Sequence, residues 1–442
     1  MESGKLKIEN DVSTINSPLS IEGNVPKLRF GEFEGKWSTE QLGSYSKHIT
    51  YGLTIRPKFV EDGIPLISAR EITSGTVKYS EAPQISLSEF NNLSDKAKPI
   101  VGDLFLSKTG TIGFSAKNTT SEPIAITQNI AVIRMDDVST LSPDYALHYF
   151  KTKKFYRSAI SKVNQSTIMD LQLGDIKRLP IPIPPNATEQ QKIASFLSKV
   201  DEKIGLLSDK KSKLTEYKKG VMQQLFSGKW VNSGELKGAN SGEVKVDSGK
   251  LTFIPPTLRF KADDGSEFPD WEEKKLGDVC EFRDSQRLPL SSEERQQRQG
   301  QYRYYGASGV IDYVDDFLFD GEFVLLGEDG ANIITRSTPL AFVVKGKFWV
   351  NNHAHVLKAL GCTYFLAQSL ELLNYEKYNS GTAQPKLNAA SCKKIELNMP
   401  CEAEQTKIAN FLSAIDQKIE LVNSELDKAK EWKKGLLQQM FV

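Results

Sequence analysis

Between Glu189 and Phe226 the apolar residues Ile193, Leu197, Val200, Ile204, Leu207, Leu214, Val221 and Leu225 alternate by steps of four and three. Lys211 and Lys218 fill two places in the same series. That spacing is a heptad seam, the mark of a long helix that packs along one narrow stripe. The series returns at Ile408, Leu412, Ile415, Ile419, Val422, Leu426, Ala429, Leu436 and Met440, with Lys433 in the place of Lys218. The offset is a constant 215 residues, and about half of the positions from Glu189 to Phe226 recur unchanged from Glu404 to Phe441. So long a period excludes a solenoid. Each copy would span about 57 Å as a helix, at about 1.5 Å per residue. A helix with such a seam needs a long partner, and its own repeat is the best one available. The pattern predicts an intramolecular, antiparallel two-helix coiled coil.

A matched opener precedes each copy. Pro26-Lys27-Leu28-Arg29-Phe30 leads to Trp37, and Pro256-Thr257-Leu258-Arg259-Phe260 leads to Trp271. Residues 44–180 and 278–395 between openers and helices barely match. Both stretches carry short β signals: 63–67, 103–106 and 124–134 in the first, 322–326, 340–344 and 348–357 in the second. Residues 143–163 have helical spacing, and the prolines of 179–185 force an extended crossing toward the helix. Thr188, with Gln191 three residues on, reads as a capping box. The expected division is a disordered tail (1–25), a first module (26–186), a first long helix (187–228), a Gly/Ser-rich linker (229–255), a second module (256–401) and a second long helix (402–442). The fold class is α+β: two mixed α/β modules joined by two long antiparallel helices, with an approximate twofold axis.

Composition narrows the function. No apolar run approaches the roughly 18 residues of a membrane span, and the polar first 25 residues lack the apolar region of a secretory signal. The four cysteines (Cys280, Cys362, Cys392, Cys401) form no C-x-x-C pair, which fits thiols in a reducing cytoplasm. A net charge of only +1 is low for a protein that binds nucleic acid alone, so any such role rests on local patches or on partners. No phosphate loop or dinucleotide turn occurs, nor an Asn-Pro-Pro-Tyr motif of adenine methyltransferases. Pro269-Asp270 abuts Glu272-Glu273-Lys274 without the spacer of a nuclease site. His353 and His355 would share a strand face, but no third ligand stands at a metal-site spacing. No catalytic or metal residue is assigned.

Binding signals are better. Lys151, Lys153, Lys154, Arg157 and Lys162 interleave with Tyr149, Phe150, Phe155 and Tyr156, as on a phosphate-contacting helix whose apolar face packs inward. A solvated basic face would look similar. Gly102 to Gly113 reads as a strand entering a glycine-punctuated turn with Lys and Thr at its tip, either a nucleic-acid-facing loop or a plain hairpin. Candidate contacts in the first module are Arg70, Lys108, Thr109, Thr111, Gln128, Asn129, Lys151 and Lys154. In the second they are Tyr304, Ser308, Arg336, Asn352, His353, His355, Gln384 and Lys386. Asn and Gln can pair bidentately with adenine, and Arg with guanine.

Taken in order, five elements resemble the specificity subunit of a type I restriction–modification system from about Pro26 to Val442. They are the doubled Pro-x-Leu-Arg-Phe…Trp opener; Gly63-Ile64-Pro65-Leu66-Ile67 with Gly102-Asp103 and Gly110-Thr111-Ile112-Gly113; Tyr304 to Tyr313 with Gly327-Glu328-Asp329-Gly330 and Phe348 to Leu357; the Ile-Pro-x-Pro approach; and the doubled Glu-Gln-x-Lys-Ile-Ala-x-Phe-Leu. One departure is the second approach, Ile395 to Pro400, which has lost most of its prolines. The resemblance implies two target recognition domains, each reading half of a split sequence in double-stranded DNA. It also implies helices that dock two modification (methyltransferase) subunits, with restriction subunits in the full complex. The chain itself would carry no cofactor; S-adenosylmethionine, ATP and Mg would belong to the partner subunits. Alternatives are a methyltransferase or nuclease in its own right, a coiled-coil adaptor without DNA binding, and a subunit of a related methyltransferase–nuclease system.

Overall fold

The computed structural model describes residues 15–16, 24–73, 75–163, 169–232, 251–381 and 384–442. The two repeats form helices at Ala187–Leu225 and Glu402–Gln439. The chain divides into two compact units, Met1–Asp209 with Asn423–Val442, and Lys210–Val422. Each long helix is thus shared, and each unit owns one module and half of each helix.

In the first unit the opening turns of the first helix meet the closing turns of the second: Phe196 lies edge-on to Trp432 at 6.0 Å, and Lys433 pairs with Asp201. In the second unit the roles reverse, and Lys218 Nζ lies 2.7 Å from Asp416 Oδ1. Moving forward from Asp201 to Lys218 moves the pairing back from Lys433 to Asp416, so the helices run antiparallel. Ile193, Leu197, Val200, Leu207, Ile408, Leu412, Ile415, Val422 and Leu426 of the predicted seam are buried, while Ile204, Leu214 and Ile419 are half-buried. The first helix begins one residue before Thr188. Asn186 caps it, its Oδ1 accepting from Thr188 N at 2.9 Å and Thr188 Oγ1 at 2.7 Å, so Thr188 is a donor inside the first turn and not the cap.

The first module holds two four-stranded sheets. One is ordered Ser46–Tyr51, Ile130–Met135, Leu104–Ser107, Ser115–Lys117, all antiparallel. Its central strands are apolar at almost every position because both faces are covered. Leu104, Leu106, Ala131 and Ile133 pack toward Tyr145, Tyr149, Phe155 and the long helices, while Phe105, Ile130 and Val132 pack toward Ile67 and Ile126. This is the alternation of a strand between two cores. The strand expected over 124–134 is two strands: Ala125–Ile126 joins the second sheet beside Ile64–Ile67, and a turn at Thr127 frees Ile130–Met135 for the first. The helix expected over 143–163 is also divided, into Pro143–Phe150 and Lys153–Ile160, because Thr152 Oγ1 accepts from Phe155 N at 3.1 Å and starts a new helix.

The second module is built on one six-stranded sheet, ordered Cys280–Phe282, Ala354–Ala359, Phe319–Gly327, Ala341–Val350, Gln299–Gly306, Gly309–Val314. The last of these and Cys280–Phe282 form its edges. The expected break near 345 is absent, and the strand runs unbroken to Val350 before turning at Asn351, whose Oδ1 accepts from His353 N at 2.8 Å. Despite its lost prolines, the second approach pairs as the first does. Glu396–Met399 is antiparallel to Glu272–Lys275, as Pro180–Ile183 is to Ser38–Gln41. Of the expected tail, Ile15–Asn16 pair antiparallel with Arg29–Phe30, and Asn24 O accepts from Trp37 N at 2.7 Å. The rest of residues 1–23 lies outside the described residues. The linker's ends pair as strands, Lys229–Asn232 with Leu251–Ile254, and 233–250 lie outside the described residues.

The two units share one internal frame. Arg29 reaches Glu189 at 2.7 Å in the first, and Arg259 reaches Glu404 at 2.9 Å in the second. Glu404 is the repeat counterpart of Glu189, as Asp416 is of Asp201 and Lys433 of Lys218. An unlike sheet stands on each frame.

Candidate nucleic-acid interface

In the first unit the strand Leu104–Ser107 delivers the chain to Lys108, which turns inward. The residue is 7% exposed, and its ammonium lies 2.6 Å from Asp170 Oδ1 and faces the Tyr51 ring at 6.0 Å. Lys108 is therefore not a free contact, because the half-buried Asp170 carboxylate holds it. Thr109 Oγ1 donates to the same oxygen at 2.6 Å. Backbone bonds from Gly110 N to Met169 O (2.9 Å) and from Leu171 N to Lys108 O (2.8 Å) lace 169–171 onto the loop. Burial works against the Asp170 carboxylate, but the bonds from Lys108 and Thr109 prevail and hold its pKa below the usual value. Arg70, Thr111 and Gln128 are exposed, and Asn129 is half-buried. Sequence reasoning missed Asp170, which is far from Lys108 along the chain and carries no local motif.

The helix Lys153–Ile160 stands beside this loop. A Cβ on Gly113, whose φ is +97°, would come within 2.9 Å of Tyr156 Cδ2, so glycine permits the contact. Phe155 and Ala159 are buried, and Lys153, Lys154, Arg157 and Tyr156 are exposed, as the basic–aromatic mixture predicts. Lys151 departs from expectation: it is half-buried, with Nζ 3.5 Å from Asp201 Oδ2. Burial and the neighbouring Lys433 depress its pKa. Burial opposes the Asp201 charge in turn, but Lys151 and Lys433 overcome it and keep that carboxyl below its usual pKa. Lys151 thus belongs to the joint between module and helices.

In the second unit the candidates separate into two groups. Asn352, His353, Gln384 and Lys386 are exposed around one loop cluster, where His353 Nδ1 lies 2.8 Å from Asp329 and Lys386 Nζ 3.5 Å from Glu328. The exposed Ser308 sits on the adjoining hairpin turn, since Ala307 O crowds Gly327. Tyr304, Arg336 and His355 serve the interior instead. Tyr304 is 1% exposed, and its hydroxyl accepts from Leu290 N at 2.9 Å. Arg336, in the left-handed region at φ 50°, salt-bridges Glu371 at 2.9 Å and lies over the Tyr375 ring. His355 lies beneath the surface with Nδ1 2.6 Å from Asp284 and Nε2 2.8 Å from Leu387 O. It does not share a face with His353, which lies in the turn before the strand. No cluster able to hold a metal occurs among the described residues.

His355 gives the second unit a pH dependence. Burial alone would lower its pKa from 6.5, but the bond to Asp284, together with the neighbouring Cys392, outweighs it and raises the pKa to about 10. A folded pKa above the unfolded one gives stability that is complete below about 6.5 and is lost as pH rises through about 10. In urea unfolding, the wild-type chain is expected to lose stability across that range more steeply than His355→Gln. Parallel slopes would show that this proton is not linked to folding.

Two unlike sheet modules on one duplicated helix frame define a paired recognition scaffold. The sequence matches the family described as type I restriction modification DNA specificity domain over residues 58–216 and again over 269–431. The chain belongs to that family and carries its domain twice. A relative from Haemophilus influenzae, described as a type I restriction enzyme specificity subunit, is 34% identical over 166 residues, 37% of this chain and 40% of that protein. The MjaX specificity subunit of Methanocaldococcus jannaschii is 23% identical over 94% of this chain and 95% of its own length. The crystal structure of the S subunit from M. genitalium shares the fold, with a TM-score of 0.61 at 18% identity over 95% of this chain and 99% of that one. No helix among the described residues is long and apolar enough to cross a membrane.

Proposed function

We propose that this chain is the non-catalytic DNA-reading subunit of a cytoplasmic type I restriction–modification complex. Each module reads one half of a split target in double-stranded DNA, and the helices dock two modification subunits that bring S-adenosylmethionine and methylate adenine. Restriction subunits, with ATP and Mg, join the same assembly. The observation that carries this reading is the pairing of like with unlike: the Arg–Glu and Lys–Asp pairs recur in both units, while the sheets they support have different topologies. A duplicated frame with divergent heads suits two different readers. The exposed Lys153, Lys154 and Arg157 supply phosphate contacts in the first unit, and partner subunits supply the charge this nearly neutral chain lacks.

Module exchange tests it. Residues 278–395 are replaced by the matching segment of another family member, both helices are kept, and methylation is mapped in cells carrying a modification partner. One half of the methylated motif is expected to change while the other persists. A change in both halves, or methylation without sequence preference, would refute the modular reading.

A further inference from the structure

The loop that buries Lys108 also prepares a neighbouring amide. Gln172 is exposed, and its Nε2 donates to Asp170 Oδ2. It stands directly before the helix Leu173–Lys177, yet its side chain makes no capping bond. Among the described residues the remaining amide N–H and Oε1 of Gln172 have no partner. A glutamine amide on a surface is normally free to rotate, and its two ends are interchangeable. Here the choice is made. An ionised carboxylate accepts and cannot donate, so Nε2 must face Asp170 and Oε1 must face away. Lys108 and Thr109 fix the carboxylate through its other oxygen. The chain of bonds runs from a buried ammonium to an exposed amide.

We infer that Gln172 is a specificity-determining residue of the first module, and that it reads an adenine through a paired donor and acceptor. This rests on the DNA-reading function proposed above. A fixed amide showing Oε1 and one N–H outward matches the adenine N6 donor and N7 acceptor in the major groove. The setting fits the division of labour at DNA surfaces, where phosphate contacts position and base contacts specify. The basic helix with Lys153, Lys154 and Arg157 abuts the same loop through Tyr156 and Gly113. Asp170 and Lys108 are positioning residues that act through Gln172.

The test is methylation mapping with the full chain and its modification partner. Gln172→Leu keeps the bulk and removes both polar groups, and is expected to relax one A·T position in one half-site. Discrimination there should fall about ten- to hundred-fold, while the other half-site stays intact. Asp170→Asn, whose amide can donate as well as accept, is expected to relax the same position by releasing the orientation. Gln172→Glu cannot donate to Asp170 and sets a carboxylate against it, so it is also expected to relax the same position rather than keep the preference for adenine. The inference is overturned if the three variants keep the wild-type motif, if the affected positions differ between Gln172→Leu and Asp170→Asn, or if all three abolish methylation outright. A wild-type chain that directs no split motif would instead refute the function on which this rests.

Discussion

Arg29→Ala is expected to destabilise the first unit by about 3–5 kcal/mol, the usual cost of leaving a buried ion-pair partner uncompensated. Arg29 is 7% exposed and Glu189 fully buried. The guanidinium meets the carboxylate in two parallel bonds, Nε to Oε1 and Nη2 to Oε2, each 2.7 Å. It also donates to the Gly35 carbonyl at 2.6 Å and the Glu34 carbonyl at 2.9 Å. Truncation therefore strands a carboxylate at the start of the first long helix and two carbonyls of the opener. The counterpart Glu404 has a second donor, Trp271 Nε1 at 3.2 Å, besides Arg259. Arg259→Ala should accordingly cost less. Urea unfolding of the full chain, with hydrogen exchange resolving the two units, measures both. Losses below about 1 kcal/mol for Arg29→Ala, or a larger loss for Arg259→Ala, would show that the pair does not anchor the opener to the helix.

The opener illustrates what a sequence makes legible. Arg29 and Arg259 stand out because their surroundings recur, and the glutamates recur within the helix repeat, but nothing local joins the two. The helices were legible over almost their full length because a heptad seam is a local pattern repeated many times. Lys218 and Lys433 were visible as polar members of that seam, whereas Asp201 and Asp416 off its periodic positions were not. The elements that depart from the sequence pattern are short and settled by one hydrogen bond or by tertiary pairing. Thr152 divides a helix-like stretch by capping its second half, and Ala125–Ile126 leaves a continuous apolar run to join another sheet. At the candidate site, residue type marked Lys108, Tyr304, Arg336 and His355 as polar and near the right motifs. Whether such groups face solvent or a buried partner depends on Asp170, Leu290, Glu371 and Asp284, each distant in sequence. The exposed Gln172 carried no signal because its value lies in the carboxylate that orients it.

The Lys–Asp pairs across the helices yield the second large effect, and they differ in a way that makes a sharp comparison. Both lysines are 17% exposed on their side chains and occupy seam places where a coiled coil prefers apolar residues. A polar residue there costs stability but fixes register, since a slipped or parallel pairing would bury an ammonium without its carboxylate. In the second unit the Tyr364 hydroxyl also donates to Asp416. In the first unit the third group on Asp201 is another cation, Lys151. Reversing one charge, as in Lys218→Asp or Asp201→Lys, is expected to cost about 1–3 kcal/mol, a range that allows for the partial exposure of both aspartates. Reversing both partners should restore most of that loss in the second unit, because a neutral hydroxyl can accept from the new Lys side chain at position 416. The same double reversal in the first unit, Asp201→Lys with Lys433→Asp, should restore much less, because it sets the new ammonium beside Lys151. Urea unfolding of the two double-mutant cycles provides the readout. Equal recovery in both units would mean that Lys151 does not share the Asp201 carboxylate, and additive single losses would mean that neither pair holds the helices in register.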